Sequence, residues 1–184
     1  MNILAVDQAR VGAWSVFDYE EKRLIASGEY DFPLKTYTFA KAIVGICDLV
    51  ESLVNQYRVS AVFIEDINLR ANVQSFKKLA QLQGGLISMF ERNDYLYSFV
   101  IPSSWQSYCN ARGRTSKEVK AKVLTSDIDG KKKSKQLSLE FVREVYGIET
   151  QNDNLADAIC IGHYVVNNIE IVSERNLSNG EEGK

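Results

Sequence analysis

Two kinds of apolar pattern alternate along this chain. Ile3-Leu4-Ala5-Val6 and Ala61-Val62-Phe63-Ile64 are short unbroken apolar runs, the pattern of strands buried on both faces. Elsewhere the apolar positions recur every three to four residues, as on an amphipathic helix. The first kind predicts strands at residues 3 to 7 and 60 to 64; Gly12 to Phe17 and Arg23 to Tyr30 read as two more strands. The turn between these last two, Asp18 to Lys22, is too short for a crossover, so the first three strands form an antiparallel meander. Residues 31 to 37 are a loop. A helix follows with Thr38 as its N-cap and Ile43, Cys47, Val50, Val54 and Tyr57 on one stripe. Because a helical crossover joins the meander to the strand at 60 to 64, that strand lies parallel to the first.

A second long helix spans about 73 to 92, with Leu79, Leu82, Leu86, Ile87 and Phe90 facing inward. Gly84-Gly85 in its middle costs about 1 kcal/mol per glycine relative to alanine, which close packing on a helix, on a second subunit or on the chain's own sheet would offset. Tyr97 to Ile101 forms a fifth strand, halted by Pro102, and Ser103 or Ser104 caps a short helical turn through Trp105 and Tyr108. A short helix from Ser116 to Leu124 and a mobile loop through Asp129-Gly130 come next. Ser134 then starts a helix with Leu137, Phe141 and Val145 inward, ended by Gly147, and the last helix runs from about Asp153 to Asn168. This is an α/β layout: a five-stranded mixed sheet, three antiparallel strands then parallel ones, flanked by helices. Residues 1 to 172 make one domain, and the polar stretch 173 to 184 reads as a disordered tail.

The composition, 45% hydrophobic and 25% charged, belongs to a globular protein rather than a fibrous or disordered one. Three cysteines, Cys47, Cys109 and Cys160, show no metal-ligand spacing and read as free thiols of a reducing compartment. No segment has the length and apolarity of a signal peptide or membrane span, so the expected location is the cytoplasm. The net charge of −2 conceals a strong polarity. Between residues 112 and 135, nine Lys and Arg face only Glu118, Asp127 and Asp129, so this stretch has a surplus of six positive charges on an otherwise acidic chain. One basic surface on an acidic body suits a polyanionic partner; the plainer reading is a solvated helix face and its loop.

Candidate chemistry lies with the acids. Asp7 and Glu65 each end a buried apolar run, and in open α/β sheets functional groups gather beyond the carboxyl ends of such strands. Asp153 and Asp157 lie four residues apart on one face of the last helix. Like charges raise one another's pKa, so gathering them is costly unless cations neutralise them, and hard divalent ions such as Mg²⁺ or Mn²⁺ are the usual solution. The only histidine, His163, reads as a half-exposed helix residue, Asp66 as a loop acid, and Trp105 and Tyr108 as packing residues with DNA stacking as the alternative.

Several stretches together resemble a known family. Val6-Asp7-Gln8 followed by Gly12, Ile64-Glu65-Asp66, Gln81-Leu82-Gln83-Gly84-Gly85, Gly113-Arg114-Thr115-Ser116-Lys117 and Asn154-Leu155-Ala156-Asp157-Ala158 are similar, in this order, to the RuvC type of Holliday junction resolvase, within the ribonuclease H-like superfamily. The resemblance spans roughly residues 1 to 168. It implies a homodimer of bacterial or phage origin that acts on branched DNA, resolving four-way junctions by paired symmetric nicks that leave 5′-phosphate and 3′-hydroxyl ends. It also implies two Mg²⁺ ions per active site, replaceable by Mn²⁺, with Asp7 bridging both, Glu65 holding one and Asp157 the other. Lys117 matches a family lysine near the scissile phosphate. Where the family often has an acid or a histidine three residues before the final Asp, this chain has Asn154, and Asp153 beside it is the other source of that ligand. Some relatives carry a wedge aromatic after the second acid; here the loop offers Leu69 at best. Arg112, Arg114, Lys120, Lys131, Lys132 and Lys133 are the remaining phosphate-contacting residues expected. Two other functions stay open: a nuclease of the same fold that also cuts forks and flaps, and a junction-binding architectural protein that does not cut.

Overall fold

The computed structural model describes residues 1–67, 73–112 and 129–171, with side chains omitted for 129–135. Five strands, β1 (Asn2–Asp7), β2 (Val11–Asp18), β3 (Arg23–Asp31), β4 (Val59–Glu65) and β5 (Tyr97–Val100), form one sheet in the order β3-β2-β1-β4-β5. β2 pairs antiparallel with both β1 and β3, while β4 runs parallel to β1 and β5 parallel to β4. Among the described residues five helices accompany them: α1 (Phe39–Tyr57), α2 (Val73–Arg92), α3 (Pro102–Tyr108), α4 (Asp129–Tyr146) and α5 (Asp153–Asn168). The meander and the parallel crossover follow from the sequence pattern, and the acid-bearing strands are neighbours at the sheet's centre.

Side chains alternate across a strand, so each central strand supplies two cores. Leu4, Val6, Val62 and Ile64 pack under α1 and α2, against Ile46, Val50, Leu86 and Phe90. Ile3, Ala5, Ala61 and Phe63 face the other way, under α3, α4 and α5, against Trp105, Val142, Ile159 and Val165. Asp7 and Glu65 continue the second set by parity. They therefore face the layer that contains α3 and α5.

α1 begins as predicted, with Thr38 Oγ1 accepting the Lys41 N–H at 3.3 Å. Its buried stripe is Ala42, Ile46, Val50, Leu53 and Val54, one position away from the expected one at its start, because Ile43 and Cys47 turn toward α2 instead of the sheet. There Gly85 earns its place: a Cβ at that position would stand 2.5 Å from the Ile43 side chain, whereas Gly84 has nothing within 4 Å. On α2 the buried residues are Leu82, Gln83, Leu86, Met89 and Phe90; Leu79 and Ile87 are only half-buried. Pro102, not a serine cap, opens α3 at its first helical positions, where proline's fixed φ suits the helix and its missing N–H costs nothing. α4 starts at Asp129 rather than Ser134, so Lys131 to Lys133 belong to its first turns instead of a loop. Lysine is a good helix former, and Gly130 is tolerated so near the end. The predicted helix at 116 to 124 and the tail beyond 172 lie outside the described residues.

α5 lies close on β1 and β2. Gly162 makes this possible, since a Cβ there would be 2.5 Å from the Phe17 ring and 2.8 Å from Ser15 Oγ. The same Ser15 hydroxyl donates to the Ala158 carbonyl at 2.7 Å, fastening helix to strand in a fully buried setting. Among the described residues no helix is long and apolar enough to cross a membrane, and the three cysteines are free thiols.

His163, on the far part of α5, sits in an aromatic nest: ring centroids of Phe141, Tyr108 and Tyr146 are 5.1, 5.7 and 5.8 Å away, and Tyr146 Oη is 2.6 Å from His163 Nδ1. Burial pushes its imidazole below the usual histidine range. An unfolded histidine takes up its proton near pH 6.5 while the folded one resists it, so its contribution to stability is complete above about pH 6.5 and is lost as the pH falls below that value. Urea unfolding between pH 5 and 8 is expected to show wild type losing stability faster than His163→Gln on the acid side. The extra slope stays below about 1.4 kcal/mol per pH unit, the ceiling for one proton. Parallel pH profiles for the two proteins would contradict this.

Candidate active site

β1 and β4 end side by side. Val6 pairs with Ile64 in the parallel register, which places Asp7 and Glu65 one residue further on at the tips of neighbouring strands. Both half-buried acids line one cleft of about 380 Å³, together with Gln8, Asp66, Phe76 and Pro102. Asp66, read as a loop acid, thus also borders the cleft; its side chain accepts the Ile67 N–H at 2.8 Å. Neighbouring buried strands with acids at their ends are enough to set two carboxylates at one point. No long-range folding signal beyond the parallel pairing is needed.

Each acid is gripped by residues whose contact with it the sequence does not show. The Asp7 main-chain carbonyl accepts the Tyr30 hydroxyl at 3.3 Å. Burial pushes the Tyr30 phenol well above the usual tyrosine range, and the Asp7 charge adds to that rise. Gly12 lets the two meet, for its missing Cβ would be 2.5 Å from both the Asp7 carbonyl oxygen and the Tyr30 hydroxyl. Glu65 is held twice: its Oε1 accepts the Trp105 indole N–H at 3.0 Å, and its main-chain carbonyl accepts the Gln8 amide at 2.8 Å. Gln8 is 4% exposed, and its Oε1 has no hydrogen-bond partner among the described residues. A polar residue directly after a buried strand was the available sign for Gln8. For Trp105, forty residues from Glu65, the sequence carried none.

Asp153 and Asp157 occupy the first turns of α5, on the sheet face that Asp7 and Glu65 share, but they do not line the cleft. Asn152 caps this helix by accepting the Asn154 and Leu155 N–H groups, and the Asn154 side-chain amide donates to the Val11 carbonyl at 3.1 Å. Asn154 therefore fastens the start of α5 to the start of β2. Arg112 is exposed at the edge of the basic segment. Lys131, Lys132 and Lys133 lie in the first turns of α4. Leu69, Arg114, Lys117 and Lys120 lie outside the described residues.

The donor chemistry fits a hard cation. Three carboxylates, those of Asp7, Glu65 and Asp66, border one cleft, and oxygen ligands of this kind suit Mg²⁺ or Mn²⁺. The softer ligands are elsewhere: Cys109 and Cys160 are buried in the core, and His163 is engaged with Tyr146. Among the described residues no group of three or more His, Cys, Asp or Glu is drawn close enough to hold a metal ion. Asp7 and Glu65 are the pair the fold itself brings together.

A five-stranded mixed sheet with helices on both faces and acids at its central strand tips defines an α/β protein of the ribonuclease H-like class. The family described as Crossover junction endodeoxyribonuclease RuvC matches residues 9–163, and this chain belongs to it. A search of the curated proteins finds no match. Among solved structures, the RuvC of Thermus thermophilus in complex with a Holliday junction substrate is similar over 89% of this chain and 91% of its own, with a TM-score of 0.65 and 14% identity. A further structure of Thermus thermophilus RuvC gives a TM-score of 0.64 at 16% identity, covering 89% of this chain and 92% of that one. The Fowlpox virus resolvase, in complex with Holliday junction DNA, gives 0.54 at 12% identity, with 91% of this chain and 97% of that chain covered. At such identities the likeness is one of fold.

Proposed function

We propose that this protein is a metal-dependent endonuclease that resolves four-way DNA junctions by paired symmetric nicks, hydrolysing phosphodiesters to leave 5′-phosphate and 3′-hydroxyl ends. The observation that carries the reading is the meeting of Asp7 and Glu65 at one cleft in a chain of the RuvC family. The solved relatives with junction DNA support the choice of substrate. Asp7, Glu65 and Asp157, with Asp153 or Asn154 as the fourth ligand, would hold two Mg²⁺ ions, for which Mn²⁺ can stand in. Bound there, the ions supply a hydroxide nucleophile and charge for the departing 3′ oxygen.

The chain's own residues do the rest. Asp7 and Glu65 present negative charge at fixed strand tips, so little reorganisation is needed when the site is filled. Lys117 neutralises charge growing at the scissile phosphate. Arg112, Arg114, Lys120, Lys131, Lys132 and Lys133 set the DNA backbone in register without reading its sequence, and Leu69 offers an aliphatic side chain to the branch point. A homodimer supplies the two cutting sites that paired nicks require.

The test is incubation of the purified protein with a labelled immobile four-way junction, the matched linear duplex and a fork, in Mg²⁺, Mn²⁺ or EDTA. Symmetric cuts confined to the junction, and abolished by EDTA, are the expected result. Equal cutting of the fork would replace junction resolution with a broader branched-DNA nuclease. Tight binding without cutting would leave only an architectural role.

A further inference from the structure

We infer that Trp105 is the positioning residue for Glu65: its indole N–H holds one carboxylate oxygen and so fixes the acid's direction into the cleft. The inference rests on the nuclease reading above. Trp105 is 1% exposed and wedged in the core beneath α5, so its ring has no freedom to follow a moving partner. The indole is a donor only, and a buried one needs an acceptor; here the acceptor is Glu65 Oε1, at 3.0 Å. Gln8, also buried, takes the main-chain carbonyl of the same residue. Both ends of Glu65 are thus tied to groups that do not move.

Charge explains why this donor is an indole. A lysine or arginine in the same place would orient the carboxylate but cancel the charge that a cation needs. The indole gives direction and leaves the full negative charge in place. Glutamate otherwise loses rotamer freedom when it is immobilised, and here folding has already fixed it. The position of α3 delivers the ring: β5 pairs with β4, and Pro102 turns the chain into α3 directly after β5, beside the tip of β4.

The test uses the full chain and begins without metal. Of the two tryptophan indole signals in ¹⁵N-labelled protein, that of Trp105 is expected to move on Glu65→Ala while that of Trp14 stays. Single-turnover cutting of the immobile junction is then compared for wild type, Trp105→Phe and protein with β-(3-benzothienyl)alanine at position 105, which keeps the indole's shape and puts sulfur in place of the N–H. Loss of a group that orients a ligand typically costs about 10- to 100-fold. That fall in the single-turnover rate, with junction Kd and thermal unfolding unchanged in the benzothienyl protein, is the expected result. A Trp105 signal indifferent to Glu65→Ala, or a benzothienyl protein that cuts as fast as wild type, would overturn the inference and leave the nuclease reading intact. Wild type that binds junctions and cuts none would overturn both.

Discussion

Asp7→Asn is expected to slow junction cutting by about 10²- to 10³-fold, the scale seen when one group that stabilises developing charge is removed. The substitution keeps the side chain's shape and deletes only its charge, at the tip of a strand flanked by β2 and β4. Folding is expected to survive, since the hydrogen bond from Tyr30 is made to the main-chain carbonyl and not to the carboxylate. Gel-shift affinity for the junction, urea unfolding and single-turnover cutting together give the answer. A variant that cuts at the wild-type rate removes Asp7 from the chemistry; one that has lost its fold shows the residue to be structural.

Gly12→Val is expected to be the most damaging single change near the site that touches none of the acids' side chains. Its new Cβ would stand 2.5 Å from a main-chain oxygen, that of Asp7, and 2.5 Å from the Tyr30 hydroxyl. The tyrosine can swing away only by giving up its hydrogen bond to Asp7, worth about 1 kcal/mol. The main-chain oxygen can move only by bending β1 away from β2. Overpacking of this kind costs about 1 to 3 kcal/mol, so a total near 3 kcal/mol is expected in urea unfolding. Displacement of Asp7 should lower the cutting rate in the protein that remains folded. Full stability and full activity in Gly12→Val would show that the strands part more easily than their pairing implies.

Much of this was legible in the residues. The unbroken apolar runs 3 to 6 and 61 to 64 marked central strands because both of their faces are covered, and the acid closing each run lines the cleft at the strand tips. Parallel pairing through α1 then made Asp7 and Glu65 neighbours. Helix faces were less legible. α1 was displaced at its start by one position because it serves two partners, the sheet and α2, and a periodic stripe does not say which flank meets which. The start of α4 was missed because a lysine run reads equally well as a solvated loop or a first helical turn. The grip of Trp105 on Glu65 depends on the direction in which α3 leaves β5, a matter of three-dimensional placement for which no local pattern exists. The position of Asn154 makes it a ligand candidate; its tie to Val11 gives it a fastening role that only the packing of α5 on β2 reveals.

That packing has a consequence for how the protein is made. α5 comes from the far end of the described chain, yet it covers the first two strands, and until residues near 160 have been synthesised the face shared with α3 and α4 lacks its cover over β1 and β2. Ile3, Phe17 and Phe63 are then open to water, in a sheet whose central pairing already joins residues nearly sixty positions apart. Such non-local closure is slow, and its unfinished states are prone to aggregate. The ribosome-bound chain should therefore withhold its final collapse until α5 has left the exit tunnel, so that the two strand-tip acids become a fixed pair only once α5 has docked.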